Sequence, residues 1–279
     1  MARWNNKEND PGKKPGNDPE NRLLTDGMVQ EPSGAAAYME NAEREYRKGK
    51  DDQTGGVVTS EQEDGKQDPR IPKGGGHTKE DYLSLPDDLR VELIDGVFYE
   101  MAAPTLPHQT VLLEIAKQID GCIDRHDAPC MVVIAPSDVE LGNKRDTIVQ
   151  PDVYVRCVNG RNENRRKTDA AVALAPDFII EVLSPSNPAN DLWRKRELYK
   201  RHGVREYWII NPWDFTVSVF DFRERNRKEG AAAEYTFEDK VPVLISDGLC
   251  RIDFCRIRQR ILRNEEIARG TGTSGRDRF

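Results

Sequence analysis

Six consecutive residues, Phe178-Ile179-Ile180-Glu181-Val182-Leu183, are almost wholly apolar and run into the turn-forming stretch Ser184-Pro185-Ser186-Asn187-Pro188. An apolar run that short, ended by turn residues, reads as a central strand covered on both faces. Such a strand requires the chain to supply packing layers above and below a sheet. The run also contains one carboxylate. Burying an isolated charge costs several kcal/mol, so Glu181 is expected to be paired or to bind a metal.

Periodicity supplies the neighbouring elements. Thr78 caps a short helix that ends before Pro86. Residues 90–94 and 97–101 read as strands joined by Asp95-Gly96, a two-residue hairpin signal. Val111, Leu112, Ile115, Ile119 and Ile123 recur at helical spacing between Pro107 and Asp124. Residues 131–134 and 138–141 are expected as a third strand region, 143–146 as a polar turn, and 148–156 as a single fourth strand. Beyond the central run, a helix over about 189–202 closes at Gly203. Strands follow at 206–211 and 215–222, with shorter ones near Tyr235 and Val243. The expected class is α/β, bordering on α+β: a mixed central sheet flanked by helices, with an extra β region toward the C-terminus.

Charged residues make up 33% of the chain, but unevenly. Residues 1–76 are crowded with Gly, Pro, Asn, Asp, Glu and Lys and hold few groups to bury, the composition of a disordered, low-complexity tail. Within it, 35–42 is the one stretch suited to a short helix. The folded unit is expected over 77–264, followed by a flexible tail over 265–279. Lys and Arg nearly balance Asp and Glu in both parts, so net charge does not single out a nucleic-acid binder; basic clusters at 161–167, 194–205, 223–228 and 256–263 are local candidates. The five cysteines show no CxxC pairing, and their odd number favours reduced thiols over a disulfide framework or zinc site. No apolar run approaches the roughly 20 residues that span a bilayer, and the N-terminus lacks a secretion signal, so a cytoplasmic protein without membrane contact is expected.

On the helix after the central strand, Leu192, Lys195, Leu198, Tyr199 and His202 share one face, while Arg194, Arg196, Lys200 and Arg201 lie elsewhere. Lys195 is thus the basic residue directed inward, unless it packs its stem and snorkels its ammonium to water. Asp152 interrupts another apolar run just after Pro151, with Gln150 two residues earlier on the same side. Two ionised carboxylates about 4 Å apart repel by roughly 4 kcal/mol at an effective dielectric of about 20, a pairing made tolerable by a cation between them. All-oxygen ligation suits Mg²⁺ or Mn²⁺ better than zinc. Glu92, alternating with Val91 and Leu93, is a further candidate acid at the rim. His108 opens the long helix and either caps it locally or faces the same cleft; Asp177, at the start of the central strand, is a rival acid.

Pro151-Asp152 followed by Glu181 in an apolar strand resembles the PD-(D/E)XK restriction-endonuclease-like superfamily. The closer likeness is to its Uma2 branch. It rests on Glu92-Leu93-Ile94-Asp95-Gly96, Ala102-Ala103-Pro104 with His108-Gln109, Glu181 to Ser186, the spacing of Asp191, Lys195 and Tyr199, and the run from Gly203 to Pro212. The superfamily's usual lysine lies two residues after the acid, where this chain has Leu183. The branch resembled carries it on the next helix, which selects Lys195. The resemblance covers about 78–215 and implies a restriction-endonuclease-like core with Mg²⁺-dependent hydrolysis of DNA. It implies metal ligation by Asp152, Glu181 and the Val182 carbonyl, with catalysis also by Lys195 and Glu92. Gln150, Tyr199, His108 and Asp191 would support the pocket. A homodimer would let two sites cut two strands. Set against this stand a catalytically silent nucleic-acid or protein-interaction domain and a phosphoesterase acting on another substrate.

Overall fold

The computed structural model describes residues 68–142, 147–158, 175–184, 189–223 and 233–270, the side chains of 189–191 excepted. Its elements are α1 (Lys79–Leu83), β1 (Val91–Ile94), β2 (Val97–Glu100), α2 (Leu106–Arg125), β3 (Cys130–Ile134), β4 (Val139–Glu140), β5 (Ile148–Val149) and β6 (Val153–Cys157). These are followed by β7 (Phe178–Val182), α3 (Ala189–His202), β8 (Glu206–Asn211), β9 (Thr216–Asp221), β10 (Ala233–Thr236), β11 (Lys240–Pro242), β12 (Arg251–Asp253) and α4 (Phe254–Ala268). Residues 1–67 of the tail expected over 1–76, with its 35–42 helix, lie outside the described residues, as do the 143–146 turn, the 161–167 basic cluster, 224–228 of another cluster and 271–279 of the C-terminal tail.

The strands form a six-stranded mixed sheet, β10-β9-β8-β7-β6-β3, a four-stranded sheet, β2-β1-β5-β4, and the pair β11-β12. Among the described strands only β7 and β8 run parallel, and α3 supplies the crossover that such a pair needs. The expected α/β architecture with a mixed central sheet is what the chain adopts. α2 and α4 pack on one face of the large sheet, and α3 on the other. The β1–β2 hairpin turns through Asp95 and Gly96, both with positive φ (49° and 82°), as a tight two-residue loop of this hand requires.

Four expectations are corrected. The third strand region is two strands in different sheets, β3 and β4. The extended run 148–156 likewise divides, because Pro151 has no N–H to offer a ladder and the chain changes sheets at Gln150-Pro151-Asp152. Packing begins upstream of 77: Ile71 is buried with Val91, Leu93, Phe98 and Ile148, and Arg70 bridges Asp68 and Asp88. Helix α4, capped by Asp253 and burying Phe254, Ile257 and Ile261, runs four residues beyond 264.

The reduced-thiol expectation is also overturned. Cys122 of α2 is bonded to Cys250, and Cys130 to Cys157, its direct partner in the β3–β6 register; Cys255 lies outside these pairs. Sequence spacing carries no trace of either bond, because both depend on tertiary neighbours. Among the described residues no helix is long and apolar enough to cross a membrane.

Candidate active site

The alternation of β7 sends Phe178, Ile180 and Val182 toward the α2/α4 layer and Ile179 and Leu183 toward α3. Glu181 shares the second direction, so the one charge in the run points at the helix that follows it. Helix α3 ends with Lys200, Arg201 and His202 in its last turn, favourable to its dipole, and Gly203 takes the positive φ of 87° that closes it. Of its expected inward stripe, Leu192, Lys195, Leu198 and Tyr199 are buried, and His202, with Nδ1 2.8 Å from the Leu198 carbonyl, is only partly so. Arg196, expected on another face, is buried too: its guanidinium lies over the rings of Trp193 and Phe220 and pairs with Glu197.

The Lys195 ammonium does not reach water; its side chain is 6% exposed. Nζ stands 3.2 Å from Glu181 Oε1 and 2.9 Å from Glu92 Oε2. Tyr199 donates its hydroxyl to the same Glu181 oxygen at 2.6 Å. Glu92, expected at a rim, is 3% exposed and central; its second oxygen accepts the Gln150 N–H at 2.8 Å. The break after β5 therefore sits directly against β1.

Asp152 lies in that break. Its Oδ2 accepts the Val182 N–H at 2.8 Å and stands 3.2 Å from His108 Nε2. Where β6 would have continued its ladder with β7, the Asp152 side chain takes over the backbone donor. Leu183 N–H turns the other way, to Ile210, so Val182 presents its N–H and carbonyl on the β6 side, toward the break. His108 thus reaches the cleft from the first turn of α2, which Thr105 caps and which carries Pro107 at its second position. The Asp152 side chain keeps 13% of its surface accessible, the most open of these groups.

Burial pushes the Glu181 carboxyl well above the usual carboxylate range; Lys195 opposes the shift, while Asp152 and Glu92 add to it. Two carboxylates therefore share one ammonium, and the charge of a third, Asp152, acts on Glu181. Tyr199 is pushed up by burial and by the adjacent acids, which keeps its hydroxyl a donor.

Asp152, Glu181, Val182, Lys195, Glu92, Gln150, Tyr199 and His108 are thus all brought together. The side chain of Asp191 lies outside the described residues. Asp177 is not part of the cluster: at the opposite end of β7 it accepts the Cys157 N–H and pairs with Arg205. Two residues that sequence reading missed complete the support. Tyr82 donates to Asp138 Oδ1 at 2.9 Å, and the Gln150 amide donates to that oxygen and to the Tyr82 hydroxyl, locking the break in place. Nothing local in the sequence marks Tyr82, which lies 68 residues from Gln150.

The donor chemistry fits a hard divalent cation. Its oxygens come from carboxylates and one carbonyl, and the cluster carries more negative charge than Lys195 offsets. Among the described residues no three His, Cys, Asp or Glu side chains stand together in ligating geometry; the set expected here, Asp152, Glu181 and the Val182 carbonyl, uses two.

A solved structure described as a "putative nuclease" from Anabaena variabilis shares the fold, with a TM-score of 0.53 and 18% identity over 67% of this chain and 99% of that one. No curated relative matches the chain. The Uma2 family model, described as "Putative restriction endonuclease", matches residues 79–248, which contain every residue of the cluster. The chain belongs to the Uma2 family.

Proposed function

We propose that this protein is a Mg²⁺-dependent nuclease that hydrolyses phosphodiester bonds of DNA. The observation carrying this reading is the meeting of Glu181 and Glu92 on one buried lysine, with the Asp152 charge acting on Glu181 where the chain passes between sheets. Such a concentration of opposed, desolvated charge is costly as pure architecture and is typical of sites that bind ions or move protons.

Asp152, Glu181 and the Val182 carbonyl would hold the ion. When bound, it supplies a Lewis acid for the phosphoryl oxygen and makes water a better nucleophile near neutral pH. The chain's own residues do the rest. The Val182 N–H and His108 pin one Asp152 oxygen, so the carboxylate cannot rotate freely. Tyr199 fixes Glu181. Glu92 holds the Lys195 ammonium beside Glu181, where a positive charge offsets negative charge developing on the phosphate. Glu92 is therefore a positioning residue for Lys195, and the Tyr82–Asp138–Gln150 network keeps the break against it.

Purified full-length protein incubated with plasmid, single-stranded DNA and RNA in Mg²⁺, Mn²⁺ or EDTA tests the reading. Metal-dependent DNA cleavage that falls about 10²–10⁴-fold in Asp152→Ala and Lys195→Ala is expected. Binding without cleavage, unchanged in both variants, would instead identify a silent interaction domain.

A further inference from the structure

We propose that β3 is the edge through which two copies of this chain join, pairing their β3 strands antiparallel about Val132 so that two six-stranded sheets become one. β3 is the terminal strand of the large sheet, and among the described residues nothing pairs with its outer side. The Val158 N–H donates to the Pro129 carbonyl and the Ala135 N–H to the Asp152 carbonyl, so the odd-numbered residues of β3 face β6. Val132 and Ile134 therefore direct both backbone groups outward, as Cys130 does its carbonyl. Such a row is a template for another strand.

The strand's composition points to a second copy as the occupant. Edges that stay single usually carry charges, prolines or bulges. β10, at the far edge of the same sheet, carries Glu234. Cys130-Met131-Val132-Val133-Ile134 holds no charge and no proline, and its register with β6 is unbroken. Its two most open side chains are apolar: Met131 is 50% exposed and Ile134 44%. The strand also complements itself. Centred on Val132, an antiparallel pair sets Val132 against its own counterpart, Met131 against Val133, and Cys130 against Ile134. The two Val132 residues exchange N–H···O bonds, and each Ile134 N–H meets the opposite Cys130 carbonyl. No like charges meet, and the contact closes about a twofold axis instead of propagating.

The pairing has a consequence for the cluster. A twofold relating antiparallel neighbours stands perpendicular to their sheet, so both copies turn the same face to the same side. Glu181 and Lys195 lie on the α3 face, and Ala135, which follows β3, bonds the backbone of Asp152. The two clusters therefore stand on one side of the joined sheet, flanking the axis. With the nuclease reading, on which this last step alone rests, they are placed to act on the two strands of one duplex.

The test is sedimentation equilibrium of metal-free full-length protein over a series reaching about 100 μM, which captures a micromolar Kd. The parent is expected to dimerise. Val132→Pro removes an outward N–H that β6 does not use, and should weaken association about 30-fold, the loss of one hydrogen bond from each copy. Met131→Lys sets two ammoniums diagonally across the axis and should weaken association about tenfold at low salt, with recovery at high salt. Its half-exposed position keeps the fold, checked by an unchanged urea midpoint. Val132→Cys in a Cys255→Ser background should give a covalent dimer on mild oxidation, since residues of a hydrogen-bonded pair stand about 5.5 Å apart at Cα. A monomeric parent overturns the proposal, as does a dimer left intact by both Val132→Pro and Met131→Lys. In plasmid cleavage with Mg²⁺ at low salt, the parent should give linear product and Met131→Lys mainly nicks. If the parent dimerises through β3 but cuts nothing, the pairing stands and the nuclease reading fails.

Discussion

The Lys195 ammonium is held 2.9 Å from Glu92 Oε2, although the two residues lie in different layers of the molecule and the pair is almost completely buried. Glu92 reaches it from β1 of the small sheet, and Lys195 from the helix that covers the large one. Their contact ties the two sheets together at the point where the chain crosses between them. In the proposed mechanism Glu92 serves the lysine, while Asp152 and Glu181 would hold a cation.

Glu92→Gln tests that division. The amide keeps an oxygen for the Gln150 N–H but removes the charge opposite Lys195. Cleavage should fall about 10–100-fold, while the Mg²⁺ concentration giving half-maximal rate stays unchanged. A marked rise in the Mg²⁺ requirement would instead make Glu92 a ligand.

Tyr199→Phe removes the 2.6 Å hydrogen bond to Glu181 and leaves packing nearly intact. The loss should be about 1–3 kcal/mol, read from urea unfolding of the metal-free protein. No change in midpoint would mean that the hydroxyl does not hold Glu181.

The cluster differed in how readily it could be read. Glu181 was legible because one acid in an apolar run breaks the strand's own chemistry, and Lys195 because helical spacing sends one face inward. Asp152 was legible as a residue but not in its setting. The β-prone residues on either side of Pro151 read as one strand, whereas the proline is the seam between two sheets. Tyr82 and Asp138 left no signal, since their function depends on contacts made only in the folded chain. Helix α4 did leave one: Phe254, Ile257 and Ile261 recur at helical spacing after the Asp253 cap, obscured by interleaved arginines.

The cysteine pairing has a direct chemical test. Alkylation of denatured, unreduced protein should label one cysteine, Cys255, and prior reduction should expose all five. Closing loops of this kind stabilises a fold by about 2–4 kcal/mol, so a reducing agent should lower the urea midpoint. Five labelled cysteines before reduction would contradict the pairing.

Glu206 should make stability pH-dependent from outside the site. Burial pushes its carboxyl up to about 7, against hydrogen bonds from Leu244, Ile245 and Trp208 that favour the carboxylate. Because the folded value is raised, its contribution is complete below the ordinary value of 4.5 and is lost as pH rises through 7. That contribution is at most about 3 kcal/mol. Glu206→Gln should therefore flatten the stability profile between pH 5 and 8 relative to the parent, and parallel profiles would exclude the effect.

Titration of Mn²⁺ into metal-free full-length protein, followed by electron paramagnetic resonance, tests the central claim most directly. One ion per chain is predicted, with binding lost in Asp152→Asn and Glu181→Gln and retained in Lys195→Met. Equal binding by the parent and both carboxylate variants, or none by the parent, would contradict the account.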